Sequence, residues 1–276
     1  MANKISTGLT IALNSNKGLK EAMNDFVIQY RSGTPPTVSA ALLAAGYSDA
    51  DAAVTGNLLA TFTKGGATLV GTASTRQDAY VVVTNGSEND TITLTFTTPL
   101  TTLVYTQVAG DSTDDIITAS LVAAINADTT INKVVTAYPI LGAAITENAI
   151  YLQANFPGEP FALTVGATGG CSAVLTAGTS NARINSLHFD YPDAYGDVSN
   201  EAAYTWLATG LVADTATYFR VITPDDDGTL SYTAKRIQGN ISTSGAEINL
   251  QPSTAIVVDQ PLSITDYTVS IKKTVA

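Results

Sequence analysis

The chain contains a single histidine, His188, so any Ser–His–Asp relay must be built on it. It stands in Leu187-His188-Phe189-Asp190, an alternating stretch that puts Leu187 and Phe189 on one face of a strand and His188 on the other. No Gly-x-Ser-x-Gly elbow accompanies it, and the plainer reading is an exposed or hydrogen-bonded strand histidine. The single cysteine, Cys171, follows Gly169-Gly170 in a run of small residues and reads as a packing residue, not a nucleophile. One Cys and one His cannot make a usual zinc site. Oxygen ligands are better represented. Asp225-Asp226-Asp227-Gly228 gathers three carboxylates, but without the alternate spacing and distal glutamate of a calcium loop it reads first as a solvated turn. Asp111, Asp114 and Asp115 suit the start of a helix, where carboxylates meet the positive end of its dipole. Phe189, Tyr191, Tyr195, Tyr204 and Trp206 form the best aromatic cluster, either core and loop anchors or a carbohydrate or partner contact surface. Gly65-Gly66 and Gly169-Gly170 lack the lysine or the βαβ context of a phosphate loop or dinucleotide turn. Paired carboxylates for glycoside hydrolysis depend on spacing in space, and no acidic residue lies in an aromatic-rich, sugar-binding stretch. No catalytic, cofactor-binding or metal-binding residue is therefore assigned, and no cofactor is expected.

The elements that must carry these residues are mostly strands. Leu19, Met23 and Phe26 are spaced as one helical face, with Ser15 or Asn16 as its cap. A strand over 26–30 follows and is stopped by Pro35-Pro36. Residues 37–57 read as a loop with one helical turn, and 56–63 as a strand. Beyond Lys64-Gly65-Gly66 the pattern predicts strands over 79–84, 91–97 and 103–107, the second with Ile92, Leu94 and Phe96 facing a core. Ile117, Leu121, Ala124 and Ile125 repeat at helical spacing behind an Asp111 or Ser112 cap, and Asn126 to Asp128 ends that helix. Strands over 134–137, 149–154 and 161–165 follow, with 166–183 as a Gly/Ala/Thr-rich return linker. Further short strands are expected over 187–189, 216–222, 236–241, 247–250, 255–258 and 262–271, divided by turn residues, and 204–207 precedes a loop. The fold class expected is mainly β: a discontinuous sandwich or barrel-like domain from 1–66 and 184–276, with a small α+β domain from 67–183 inserted in it. Insertion into a surface loop costs little, because loop-closure entropy rises slowly with length.

Composition narrows the partners. The 276 residues carry a net charge of −11, and only 13% are charged. The thirteen basic residues are scattered: Arg31, Arg76, Arg183, Arg220 and Arg236 stand nearly alone, and the one pair, Lys272-Lys273, lies in the tail. A phosphate backbone needs clustered cations, so nucleic acid is not expected as a partner. No run approaches the roughly 18 apolar residues of a membrane helix, and no signal-peptide pattern opens the chain. A lone cysteine excludes an internal disulfide, consistent with synthesis in the cytoplasm.

The two flanks resemble structural proteins of bacteriophage particles. The resembling pieces are Ser6-Thr7-Gly8-Leu9, Gly18 to Ala22, Ile28 to Pro35 and Gly56 to Thr61. Towards the end come Ala216 to Arg220, Asp227-Gly228, Ile237 to Ile241 and Ser244 to Glu247. The middle segment is similar to small domains inserted in such proteins, through Asn89 to Thr93, Ala123 to Asp128 and Pro157-Gly158 ahead of Phe161. The resemblance implies a non-enzymatic component of a tailed-phage virion, made in the bacterial host cytoplasm. Its partners would be other copies of itself and other virion proteins, in a capsid-decoration, collar or neck, or tail-accessory role. Two rival classes remain: a displayed β-sandwich binding host-surface glycan through Tyr204 and Trp206, and a depolymerase, which requires clustered carboxylates in a groove.

Overall fold

A computed structural model describes residues 3–15, 18–140, 148–193, 197–201 and 204–269. The expected cap Asn16, the end of the 262–271 strand and Lys272-Lys273 lie outside them. The protein is mainly β, with 38% strand against 15% helix. It divides into two compact units, Met1–Ala73 with Ile184–Ala276, and Ser74–Arg183.

The first unit is organised on a sheet that has eight strands among the described residues. Its main path runs Lys4–Ile5, Arg236–Ser242, Tyr218–Ile222, Val27–Arg31, Leu58–Lys64, Trp206–Thr209 and Pro261–Ile264, every neighbour antiparallel. Ile248–Asn249 adds to Arg236–Ser242 in parallel. Strand parity sorts the side chains. Ile28, Tyr30, Phe62, Phe219, Val221 and Ile237 point to one face and join a hydrophobic core with Leu9, Met23, Phe26, Phe189 and Trp206. The other face, at the strands Val27–Arg31, Tyr218–Ile222 and Arg236–Ser242, is covered by residues 36–57, so all five residues of Tyr218–Ile222 are buried. That covering segment has little regular structure: a helix at Ala40–Ala44 and a 3-10 turn at Asp49–Asp51. Its inward carbonyls need donors, and the sheet supplies them from Tyr218, Arg220, Arg236 and Gln238.

The helix near the N-terminus differs from expectation. It spans Thr7–Asn14, capped by Ser6, whose hydroxyl accepts the Leu9 N–H. A four-residue turn, Leu19–Ala22, comes after it. Leu19, Met23 and Phe26 are all buried, but Phe26 already pairs with Leu187 as extended chain. Gly8 is fixed by close approach, because a Cβ there would lie 2.2 Å from the Thr233 carbonyl oxygen.

The second unit contains two sheets. One runs Ser172–Ala177, Asp78–Thr84, Ala149–Ala154, Val135–Ile140; the other runs Leu100–Thr106, Thr91–Thr98, Ala162–Ala167. All pairs are antiparallel. Ser172–Ala177 is a strand where a return linker was expected. The helix Asp114–Ala127 buries Ile117, Leu121, Val122 and Ile125 in the same core as Val81, Val83, Ile92, Leu94, Phe96, Ile150 and Leu152. Its cap is Thr113, not Asp111 or Ser112. Asp111 instead accepts hydrogen bonds from the Tyr105 hydroxyl and the Val108 N–H, both 2.8 Å, and so is spent on the preceding turn.

Candidate functional site

The fold brings a serine, the histidine and an aspartate together. His188 Nε2 lies 2.8 Å from Asp25 Oδ1, and the Ser186 hydroxyl donates to the same oxygen at 2.5 Å. Both contacts follow from strand parity, since Ser186 and His188 leave the chain on the face opposite Leu187 and Phe189. Asp25 sits in the left-handed region, φ 56°, just before the Val27–Arg31 strand. The three are not arranged as a hydrolytic relay. The Ser186 hydroxyl donates to the carboxylate, which also meets the imidazole, whereas a relay needs the hydroxyl to donate to the imidazole. All three side chains are also buried, at 0%, 1% and 4% exposure for Ser186, His188 and Asp25. The cluster ties the first pass of the chain to its return, beside the paired Phe26 and Leu187 backbones.

Two of the three carboxylates in the Asp225–Asp227 run have structural tasks, and Asp225 is exposed. Asp226 turns inward and receives Arg236 in a two-pronged pair, Nε to Oδ2 and Nη2 to Oδ1, both 2.6 Å. The two side chains are 1% and 0% exposed. Asp227 stays outside and accepts from the Thr229 N–H and hydroxyl, and these bonds hold its carboxyl below the usual range. Among the described residues no group of three or more His, Cys, Asp or Glu is placed to hold a metal ion.

Sequence order conceals a polar cluster of the first unit. Arg31, Arg220 and Arg236 look isolated along the chain, yet they share the covered face of three adjacent strands. Arg236 Nη1 also donates to the Asp51 and Ala52 carbonyls at 3.0 and 3.3 Å. Arg220 Nε donates to Gln238 Oε1 at 2.9 Å and Nη2 to the Ala52 carbonyl at 2.7 Å. Burial, and then the charge of Arg236, push the Arg220 guanidinium down to about 10. Arg31 donates to Gln29 Oε1, while Arg220 and Arg236 are a clamp on the 36–57 segment, buried and closed to a phosphate. Its sequence signal is the parity of Arg220, Arg236 and Gln238 within strands whose alternate residues are core aliphatics and aromatics.

The remaining candidates are also internal. Trp206 and Phe189 are each 1% exposed, and Phe26 stacks on Phe189 at 4.3 Å and meets Trp206 edge-on at 5.4 Å. No ring face of Trp206 is left for a sugar. Tyr191 and Tyr204 are half-buried beneath Lys20 and Lys64, whose ammonium groups lie 4.6 and 3.4 Å from the ring centres. Tyr195 lies outside the described residues. Cys171 is buried, its thiol directed at the Thr168 and Thr91 carbonyls. Asp114 and Asp115 occupy the first helical turn, as read from the sequence, and Asp114 also accepts the Asn85 N–H.

A surface aromatic ladder was not legible in advance. Tyr80, Tyr151 and Tyr138 are direct cross-strand neighbours on the outer face of the four-stranded sheet, with ring centres 5.2 and 6.1 Å apart. They come from three strands far apart in sequence, each with one tyrosine at the outward parity. No helix among the described residues is long and apolar enough to cross a membrane. No protein-family model matches the chain, and no curated protein is similar enough to count as a relative.

Proposed function

We propose that this protein is a non-enzymatic structural component of a tailed-phage particle, assembled through symmetric contacts with copies of itself and with other virion proteins. The observation that carries the reading is the strand Leu100–Thr106. It pairs with Thr91–Thr98 on one side, and among the described residues its other edge has no partner. It holds no charged residue and no proline, and it shows Leu100 at 85% and Val104 at 59% exposure. Proteins that stay monomeric usually protect such an edge with lysine, proline or a bulge. An edge left open is suited to strand addition, and in a symmetric assembly weak contacts suffice because many act together. The internal use of His188, Asp226, Cys171 and Trp206 agrees with a structural role, as does the resemblance of the flanks.

Sedimentation over a range of concentrations tests the reading, together with the copy number of the protein in purified particles. Self-association that weakens in Val104→Lys is expected, with hundreds of copies for capsid decoration or a small multiple of six for a collar or tail role. A strict monomer absent from particles would overturn the assignment. A second reading, a displayed module that binds host-surface glycan, is favoured by the Tyr80–Tyr151–Tyr138 ladder, since exposed rings offer apolar faces with hydroxyls at their rims. Glycan binding lost in Tyr138→Ala with Tyr151→Ala would support it.

A further inference from the structure

The second unit does not treat its sheet edges alike. The outer edge of Val135–Ile140 is closed by a side chain of the helix. Asn126 Nδ2 donates to the Ala137 carbonyl at 2.8 Å, and its Oδ1 accepts the Ala137 N–H at 2.9 Å. At the next outward position Pro139 offers no N–H at all. Ala162–Ala167 and Ser172–Ala177 run side by side where the two sheets meet. Leu100–Thr106 has no such cover: among the described residues, its main chain bonds only to Thr91–Thr98.

Charge narrows what can cover this edge. Thr91–Thr98, Leu100–Thr106 and Ala162–Ala167 contain no charged residue, in a chain of net charge −11. Copies of an acidic protein repel one another, so they meet closely where neither brings a carboxylate. A basic partner finds no counter-charge on these strands. Parity puts Leu100, Thr102, Val104 and Thr106 on the outer face, beside Thr91, Thr93 and Thr95 of the neighbouring strand, while Leu103 and Tyr105 pack towards the core. We infer that this edge pairs with the same edge of a second copy, antiparallel, about a two-fold axis through Leu103. The pairing rests on the assembly reading and adds to it the partner strand and the register. Keeping the core-facing side continuous across both copies requires the axis to stand perpendicular to the sheet, which makes the strands antiparallel. A one-residue slip would set outer side chains against core-facing ones. Of the registers left, the one centred on Leu103 pairs all seven residues of the strand. Leu103 then meets its own copy, Thr102 meets Val104, and Leu100 meets Thr106.

The test places single cysteines on the full chain, where Cys171 is buried. Thr102→Cys and Val104→Cys are mixed, one of them isotope-labelled, and oxidised in solution. Residues directly opposite in an antiparallel pair lie about 4.5–5.5 Å apart at Cα, and a disulfide spans no more than about 7 Å. The mixed dimer is therefore expected at least about fivefold above either homodimer. Val104→Lys should lower the association constant at least about tenfold, and Val104→Thr, which keeps the edge uncharged, by no more than about twofold. Val104 is exposed, so both variants should keep the parent amide spectrum. Homodimers of Thr102→Cys in excess of the mixed species, unaltered association in Val104→Lys, or a monomeric chain that still enters particles would overturn the pairing alone. A chain that neither associates nor enters particles would overturn the assembly reading with it.

Discussion

At the residue scale, a few charged side chains, among them Lys20, Asp25, Asp51, Arg220 and Arg236, are buried. The Arg236–Asp226 pair is the clearest case, because both partners are desolvated and every prong of the guanidinium has an acceptor. Such a pair adds little net stability over an apolar replacement, yet breaking it from one side leaves an uncompensated buried charge. Asp226→Asn should therefore cost about 3–5 kcal/mol, read from the urea midpoint. Asp227→Asn, one residue along the same turn but exposed, should cost far less; equal losses would mean that Arg236 does not depend on its pair. Asp90 gives a pH-dependent counterpart. Its Oδ2 accepts the Ser87 and Gly170 N–H groups, each at 2.8 Å, and these bonds lower its pKa from 3.8. A carboxyl more acidic in the folded than in the unfolded state stabilises the fold fully above the unfolded value. That stabilisation is lost as pH falls through the lowered one. Melting temperature should thus drop as pH falls below about 4, and Asp90→Asn should lower it at neutral pH, converge with the parent in acid and so flatten that slope. An unchanged acid slope would show that the Asp90 turn does not report on folding. Gly169 explains the tight approach, since a Cβ there would lie against Asp90 Oδ1 in a backbone already at φ 68°.

At the scale of elements, the helix Asp114–Ala127 allows a sharp comparison between neighbouring hydroxyls. Thr113 Oγ1 accepts the Ile116 N–H, whereas Ser112 precedes the cap. Thr113→Ala should cost about 1 kcal/mol in denaturant unfolding and Ser112→Ala close to none; the reverse ranking would relocate the start of the helix. What the sequence revealed at this scale was local. Thr91–Thr98 was readable because Ile92, Leu94 and Phe96 alternate with threonines, and all three prove fully buried. Ser172–Ala177 was not, because Ala, Val and Thr at a half-exposed sheet edge carry no strong alternation. The Thr7–Asn14 helix escaped notice because it buries only Gly8 and Leu9, so its face has almost no hydrophobic period. The polar features were hidden for a different reason. Arg31, Arg220 and Arg236, like Tyr80, Tyr138 and Tyr151, become neighbours only through strand pairing, and pairing order is a property of the whole sheet.

At the scale of the whole molecule, each compact unit has its own buried core, and the chain enters and leaves the second unit at one place. The Thr75 N–H donates to the Ala182 carbonyl at 2.7 Å, and the Ala182 N–H donates back to the Thr75 hydroxyl at 2.8 Å. The ends of residues 74–183 are therefore already stitched together within that unit, as a segment able to fold alone requires. The core around Ile92, Leu94, Phe96, Ile117, Leu121, Ile125, Ile150 and Leu152 draws on residues between 79 and 171 and needs nothing from the flanks. At about 110 residues the segment is of ordinary domain size, large enough to offset its own conformational entropy. Expressed alone, residues 74–183 should unfold in a single cooperative transition and show the dispersed amide spectrum of a folded β protein. A spectrum that collapses to random-coil positions would mean that the flanking unit supplies part of the folding energy. Thr75→Pro sharpens the comparison, because it removes both the N–H and the hydroxyl of the stitch. It should lower the midpoint of the isolated segment more than that of the full chain, where the flanks still hold residues 73 and 184 near each other through the Val70 N–H on Asn185 Oδ1 at 2.8 Å.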